Sequence, residues 1–373
     1  MIEKTENRRK LVLHIGAHKT GSSAIQSFLH MHRADLNAKR WIFCTPPTGL
    51  PNWGPMFGVD PKASSPKFRL LPEVFAQLLA RIDRRARDVI LSVEDLFFLD
   101  SPDVAVFAAA LKRRFPEITI ICYLRRQDQM AMSHWAQGGR TAQSALIFGS
   151  KDNPLPELTP HVRNYLNYAK RLTMWQTALP KANCLWRCYN RDTFPNRDVV
   201  ADFLAATGIE LDAGTAVTVA NEALGASSVR LVYLLREAGV PQPQIHRMLR
   251  SGLIPATDDK VWPSRAAAVA FVQAFTASNA KLAEMAGRES FFSNDYDSYP
   301  EQSHIPPMDP EFVIPSLLRL LTNALKQIPV KPGPAAAEPQ VSAEPQVSAE
   351  PQASPEIQPS PEISSGPAPH PVP

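Results

Sequence analysis

The chain has 373 residues, of which 44% are apolar and 20% charged, and its formal net charge is +4. That composition is ordinary for a globular protein with a large core, and it excludes a fibrous or wholly disordered chain. No run of about 18 apolar residues occurs, so no membrane span is expected.

Residues 329–373 read differently from the rest. They are mostly Pro, Ala, Glu, Gln and Ser with few aliphatic and no aromatic residues, and they repeat AEPQVS from Ala337 and Ala343 and AEPQAS from Ala349. Such a stretch cannot bury enough apolar surface to offset its ordering entropy and is predicted to be disordered. It has no clear proline motif flanked by basic residues, so it reads as a flexible linker. The expected division is one α/β domain over 1–328, with a helical elaboration from about 221, followed by the tail. The tail holds one Lys and five Glu, so residues 1–328 carry 39 basic and 31 acidic side chains, a net of +8. A basic body suits an anionic ligand. No zinc-finger, RNP or helix-turn-helix signature accompanies it, so no nucleic-acid partner is expected.

The polar N-terminal stretch lacks the apolar core of a secretory signal. Cys44, Cys122, Cys184 and Cys188 are scattered, with no second close pair to complete a zinc site. They read as buried thiols in a reducing compartment, and the expected location is cytoplasmic.

In chain order, Leu11, Val12, Leu13 and Ile15 form a short apolar run suited to a strand buried on both faces. Gly16 and Gly21 bracket a loop, and Ile25, Phe28 and Leu29 mark one face of a helix from Ser22 to about His32. A strand, tight loop and helix in succession aim backbone N–H groups and a helix N-terminus at one point, which is an anion site. Gly16 and Gly21 keep the spacing of the nucleotide-triphosphatase loop, but Ser22 stands where that loop has its lysine, and Lys19 lies inside.

Trp41, Ile42 and Phe43 suggest a second strand. The Pro- and Gly-rich stretch 45–65, carrying Trp53, Met56 and Phe57, reads either as a cover over ligand or as a surface loop packed by its own aromatics. A helix is predicted over 70–87 and a strand over 88–95. That strand ends on Ser92, Glu94 and Asp95, where ligands sit in doubly wound sheets. An amphipathic helix over 103–115 precedes the β-branched strand 118–124, which runs into Arg125. Residues 161–178 read as one helix whose Tyr165, Tyr168 and Trp175 suit a core better than a sugar platform. Another strand is predicted over 183–189, then a helix over 199–208 closed by Gly208. Helices are expected over 242–251, 264–286 and 312–327, and the segment 291–310, with Tyr296 and Tyr299, is expected to wrap back on the core.

The loop His18-Lys19-Thr20-Gly21-Ser22-Ser23 resembles the 5′-phosphosulfate loop P-K-[ST]-G-[ST]-[ST] of sulfotransferases, with His18 in place of the usual proline. Arg125, ending a predicted strand, and Ser133 eight residues on resemble the 3′-phosphate site of the same family. The phrase Asp198-Val-Val-Ala-Asp-Phe-Leu-Ala-Ala-Thr-Gly-Ile209 and the segment opening at Asn221 resemble bacterial members. The likeness runs from Leu11 to about Leu235, with specific motifs in the first 135 residues. No counterpart appears of the K-x-x-x-G-x-x-G-x-x-K segment that covers the donor in cytosolic members.

The resemblance implies a phosphate-loop parallel sheet flanked by helices, 3′-phosphoadenylyl sulfate as donor, and no metal. It implies Lys19 at the oxygen bridging sulfate and phosphate, with His18, Thr20, Gly21, Ser22 and Ser23 completing that site. Arg125 and Ser133 would hold the 3′-phosphate. A base must take the acceptor's proton, and Glu94 is the expected one, with His18, Asp95 and His134 as rivals and His14 as a satisfied sheet residue. The acceptor would be a hydroxyl or amine on a bacterial glycan or lipid-linked sugar. Two other readings stand beside this: a nucleotide-dependent kinase, which the displaced lysine disfavours, and a non-catalytic scaffold that kept a degenerate nucleotide site.

Overall fold

Alternating apolar side chains on five short strands build the sheet that carries everything else. The computed structural model describes residues 9–322 apart from 60–67, 85, 142–143, 145–152, 212–223, 256, 258, 307–313, 316 and 320. The described residues all fall within one unit spanning 1–324. The tail from 329, most of the predicted helix 312–327 and the first three residues of the segment opening at Asn221 lie outside the described residues.

Strand β1 (Lys10–His14) leads through the loop to α1 (Ser22–Met31), followed by α2 (Arg33–Ala38) and β2 (Trp41–Phe43). Two short strands, β3 (Phe57–Val59) and β4 (Phe68–Leu70), pair antiparallel as a separate ribbon before α3 (Pro72–Asp83). Then come β5 (Asp88–Ser92), α4 (Ser101–Lys112), β6 (Glu117–Leu124) and α5 (Gln127–Gly138). After these come α6 (Pro160–Leu166), α7 (Tyr168–Ala178), β7 (Asn183–Cys188) and α8 (Val199–Thr207). The C-terminal part is helical: α9 (Ala226–Glu237), α10 (Gln242–Arg250), α11 (Arg265–Gln273) and α12 (Thr276–Met285).

The main sheet has the order β2-β5-β1-β6-β7, with every pairing parallel. Side chains alternate in destination along each strand. Leu11, Leu13, Leu91, Ile120 and Cys122 face a core shared with α3, α4, α5 and α7. Val12, Ile90, Ile121 and Tyr123 face the opposite core, filled by α1, α2 and α8. The chain leaves β1 toward β2 on one side and β6 toward β7 on the other. That reversal opens a crevice beyond the carboxyl ends of β1 and β6, where ligands bind in open α/β sheets. This is the expected fold class.

Several boundaries differ from expectation, each for a local reason. Helix α3 starts at Pro72 rather than 70, because proline suits a first helical turn and Leu70 is spent in the β3–β4 ribbon. Strand β5 stops at Ser92, and Glu94–Phe98 turn into a 3₁₀ helix that buries Leu96, Phe97 and Phe98. The helix expected over 161–178 breaks at Asn167, which leaves helical geometry and caps α7 through its side chain. The helix expected over 264–286 divides where Phe275 turns inward to bury its ring. Trp53 and Met56 are fully buried, and the Trp53 indole donates to the Cys44 carbonyl, so this part of 45–65 is packed by its own side chains. Tyr165, Tyr168 and Trp175 are core residues, as expected. No disulfide joins the four cysteines, of which Cys44 and Cys122 are buried and Cys184 and Cys188 half-buried. No helix among the described residues is long and apolar enough to cross a membrane.

His14 is fully buried, with Nδ1 2.8 Å from the Ser92 hydroxyl and Nε2 without a partner among the described residues. Burial pushes its pKa from 6.5 down to about 4. As pH falls from 6.5 toward 4, the unfolded chain takes up a proton that the folded chain refuses, so stability is lost across that window. Burial displaces His134 and His161 in the same direction, and both add to the loss. The His14 share is about 3 kcal/mol. Urea midpoints should therefore fall between pH 6.5 and 4, and His14→Gln should flatten part of that fall. A pH slope unchanged by the substitution would contradict the assignment.

Candidate functional site

The loop after β1 is held open by its backbone. Ala17 N–H donates to the Tyr123 carbonyl, fixing the loop to the end of β6. Gly16, Lys19 and Gly21 all have positive φ, at 97°, 60° and 85°. A Cβ on Gly21 would lie 2.8 Å from the Val199 side chain, so both the turn and its packing require glycine. For Lys19, a non-glycine residue, left-handed geometry costs roughly 1–2 kcal/mol, which marks a position fixed by its surroundings.

The hydroxyls of Thr20 and Ser22 donate inward to the Ala17 carbonyl, at 2.6 and 3.3 Å. They close the loop rather than face outward, while Ser23 is exposed. Among the described residues, the backbone amides from His18 to Ser23 meet no acceptor. That run of unspent donors at the start of α1 is what an anion would meet.

Lys19 is half-buried and extends its ammonium to the Gln137 side-chain oxygen of α5, at 3.1 Å. Burial pushes its pKa down, Arg125 and Arg140 add to the fall, and Glu94 opposes it. The loop lysine, the end of β6 and Glu94 therefore share one electrostatic neighbourhood. Glu94 is half-buried where the chain leaves β5, and its backbone packs against Gly16.

The adjacent arginines at the end of β6 have opposite fates. Arg126 forms a bidentate pair with the buried Asp128 at 2.9 Å, donates to the Ser293 and Asp295 carbonyls, and lies over the Tyr296 ring. With Tyr299 also donating to Asp128, it ties the return segment to the core, as expected for 291–310. Arg125 pairs with no carboxylate among the described residues. Its guanidinium lies 4.7 Å over the Tyr189 ring, and burial lowers its pKa. Ser133 is half-buried one turn before Gln137 on the same face of α5, its hydroxyl without a hydrogen-bond partner among the described residues.

The rival bases form a chain of their own. His18 lies 3.4 Å from both the Asp95 carboxylate and the Tyr165 hydroxyl, and that hydroxyl is 3.0 Å from His134 Nε2. His134 is buried, and its pKa is well below the ordinary value, first through burial and then through His18, Lys19 and Arg125. It joins the network through the Tyr165 hydroxyl.

No protein-family model matches the chain. An uncharacterised protein of Archaeoglobus fulgidus is 26% identical over 229 residues, covering 58% of this chain and 60% of that protein. The chain thus spans about 60% of that relative's length. A sulfotransferase crystal structure from Alicyclobacillus acidocaldarius aligns over 76% of this chain and 97% of the other, at 14% identity and a TM-score of 0.38. Likeness at that level says nothing of activity.

Two residues at the site carry no sequence signal of their own. Gln137 reads as a polar helix position until Lys19 is seen against it. Tyr189 ends a strand in the sequence, and only the fold brings its ring edge within 3.3 Å of where a Gly21 Cβ would be. Arg125 and Arg126 are indistinguishable as a dipeptide, and thermal or urea unfolding separates them. Arg126→Ala leaves Asp128 buried without its cation and should cost about 3–5 kcal/mol. Arg125→Ala should change stability by less than about 1 kcal/mol, because it removes no ion pair. Equal losses would contradict the division of roles.

Proposed function

We propose that the chain is a sulfotransferase moving a sulfuryl group from 3′-phosphoadenylyl sulfate to a hydroxyl or amine on a glycan or lipid-linked sugar. One observation supports this above the others. A loop lysine and a strand-end arginine, neither paired with a carboxylate, stand at the ends of neighbouring parallel strands beside a run of unspent amides. Two separated cationic points match a donor with charge at both its 5′ and 3′ positions. The residues present fit that donor as a substrate.

In this reading the loop amides and Lys19 hold the 5′-phosphosulfate. Arg125 meets the 3′-phosphate with its planar fork, and the Ser133 hydroxyl donates to the same group. The acceptor oxygen attacks sulfur in line as the bond from sulfur to the bridging oxygen breaks. The electron pair stays on that oxygen, where the Lys19 ammonium stabilises the growing charge. Glu94 takes the acceptor's proton. In the free protein Lys19 rests on Gln137, a neutral partner that costs little to release.

Calorimetric titration with adenosine 3′,5′-bisphosphate in the absence of magnesium tests the donor site. Wild type should bind, and Lys19→Ala and Arg125→Ala should each weaken binding by about 10- to 100-fold, the loss of one charge-assisted contact. Binding of magnesium–ATP with indifference to the 3′-phosphate would favour a kinase instead. Failure of both nucleotides would remove either enzyme reading.

A further inference from the structure

Arg125 is not the only arginine on Tyr189. The Arg191 guanidinium donates from Nε to the Tyr189 hydroxyl at 3.4 Å, while Arg125 stacks 4.7 Å over the face of the same ring. The Arg191 charge is felt at Arg125, where, after burial itself, it helps to lower the pKa. On its other side Tyr189 abuts the loop at Gly21 and packs edge-on against Phe194 at 5.6 Å. The ring is therefore a fixed spacer touching the loop and both cations.

Two like charges held together need an explanation, and no ion pair supplies one. Of the acids near Arg191, Asp198 lies close enough for its charge to raise the Arg191 pKa, but among the described residues neither it nor Asp192 comes within ion-pair distance. Asp192 pairs with Arg197 at 2.6 Å, and Asp198 accepts from the Val200 amide at 2.7 Å as the N-cap of α8. Among the described residues, neither Arg125 nor Arg191 has a carboxylate within ion-pair distance. Arg191 is exposed, so its head can swing toward a ligand without leaving a buried group unpaired.

We infer that Arg191 is a second ligand for the anion held by Arg125, with Tyr189 setting their separation, and that the group recognised is a phosphate monoester dianion. A monoester carries close to two negative charges at neutral pH and three acceptor oxygens, enough for two guanidinium forks. A singly charged carboxylate would leave one cation unbalanced. The inference rests on the proposed function, which puts the donor's 3′-phosphate at Arg125. It makes Arg191, just past the end of β7, a specificity residue for the 3′-phosphate.

The test measures the affinities of adenosine 3′,5′-bisphosphate and adenosine 5′-monophosphate for wild type, Arg191→Gln and Arg125→Gln/Arg191→Gln. Arg191→Gln should weaken the bisphosphate by about tenfold and leave the monophosphate unchanged. The double variant should erase the remaining preference between the two. A wild-type preference that survives Arg191→Gln intact would overturn the inference alone, as would equal weakening of both nucleotides. A wild type with no preference would remove the 3′-phosphate site and the inference with it. Because Arg191 is exposed and its substitution opens no cavity, the variant should melt within about 1 kcal/mol of wild type.

Discussion

Positive charge without an ion-pair partner, at the carboxyl edge of the parallel sheet, is the constraint around which this site is arranged. Lys19 and Arg125 sit close enough that each charge is felt by its neighbours, and Lys19 meets an amide oxygen rather than a carboxylate. Like charges in one half-buried neighbourhood repel. A fold tolerates that only if the scaffold holds the groups in place or a ligand offsets them. The proposed function takes the second case, and the unspent amides of the loop add partial positive charge where relief would need negative charge.

The scaffold supplies rigidity by routes that do not touch the site's charge balance. Arg126, next to Arg125, is consumed by Asp128 and by the carbonyls of the return segment, so the backbone that carries Arg125 is anchored without spending Arg125 itself. On the opposite face, buried Asp202 of α8 accepts from both Tyr123 and Arg187, locking β6 and β7 to that helix. The loop in turn depends on α8, because Val199 fills the space that a side chain at position 21 would need. Packing on one face thus fixes the loop on the edge.

Much of this was legible in the sequence because it rests on local rules. The apolar runs of β1, β5 and β6 and the glycine-bracketed loop each state their structure within a few residues. Lys19, Glu94 and Arg125, expected at the site from the sequence, gather at one crevice because parallel strands put all their carboxyl ends on the same edge. What the sequence did not show depends on distant partners. Nothing local says that Asn167 breaks a helix, that the Thr20 and Ser22 hydroxyls turn inward, or that Gln137 receives Lys19. Arg125 and Arg126 differ in role only because Asp128 and residues 293–295 reach one and not the other.

On the proposed function, one crevice takes two distinct phosphates, one at the loop and one at Arg125. Phosphorus NMR of adenosine 3′,5′-bisphosphate titrated with the protein reads both at once. The account predicts that wild type shifts both resonances, that Lys19→Ala abolishes chiefly the 5′ shift, and that Arg125→Ala abolishes chiefly the 3′ shift. Two resonances that stay at their free positions, or that respond identically to both substitutions, would contradict it.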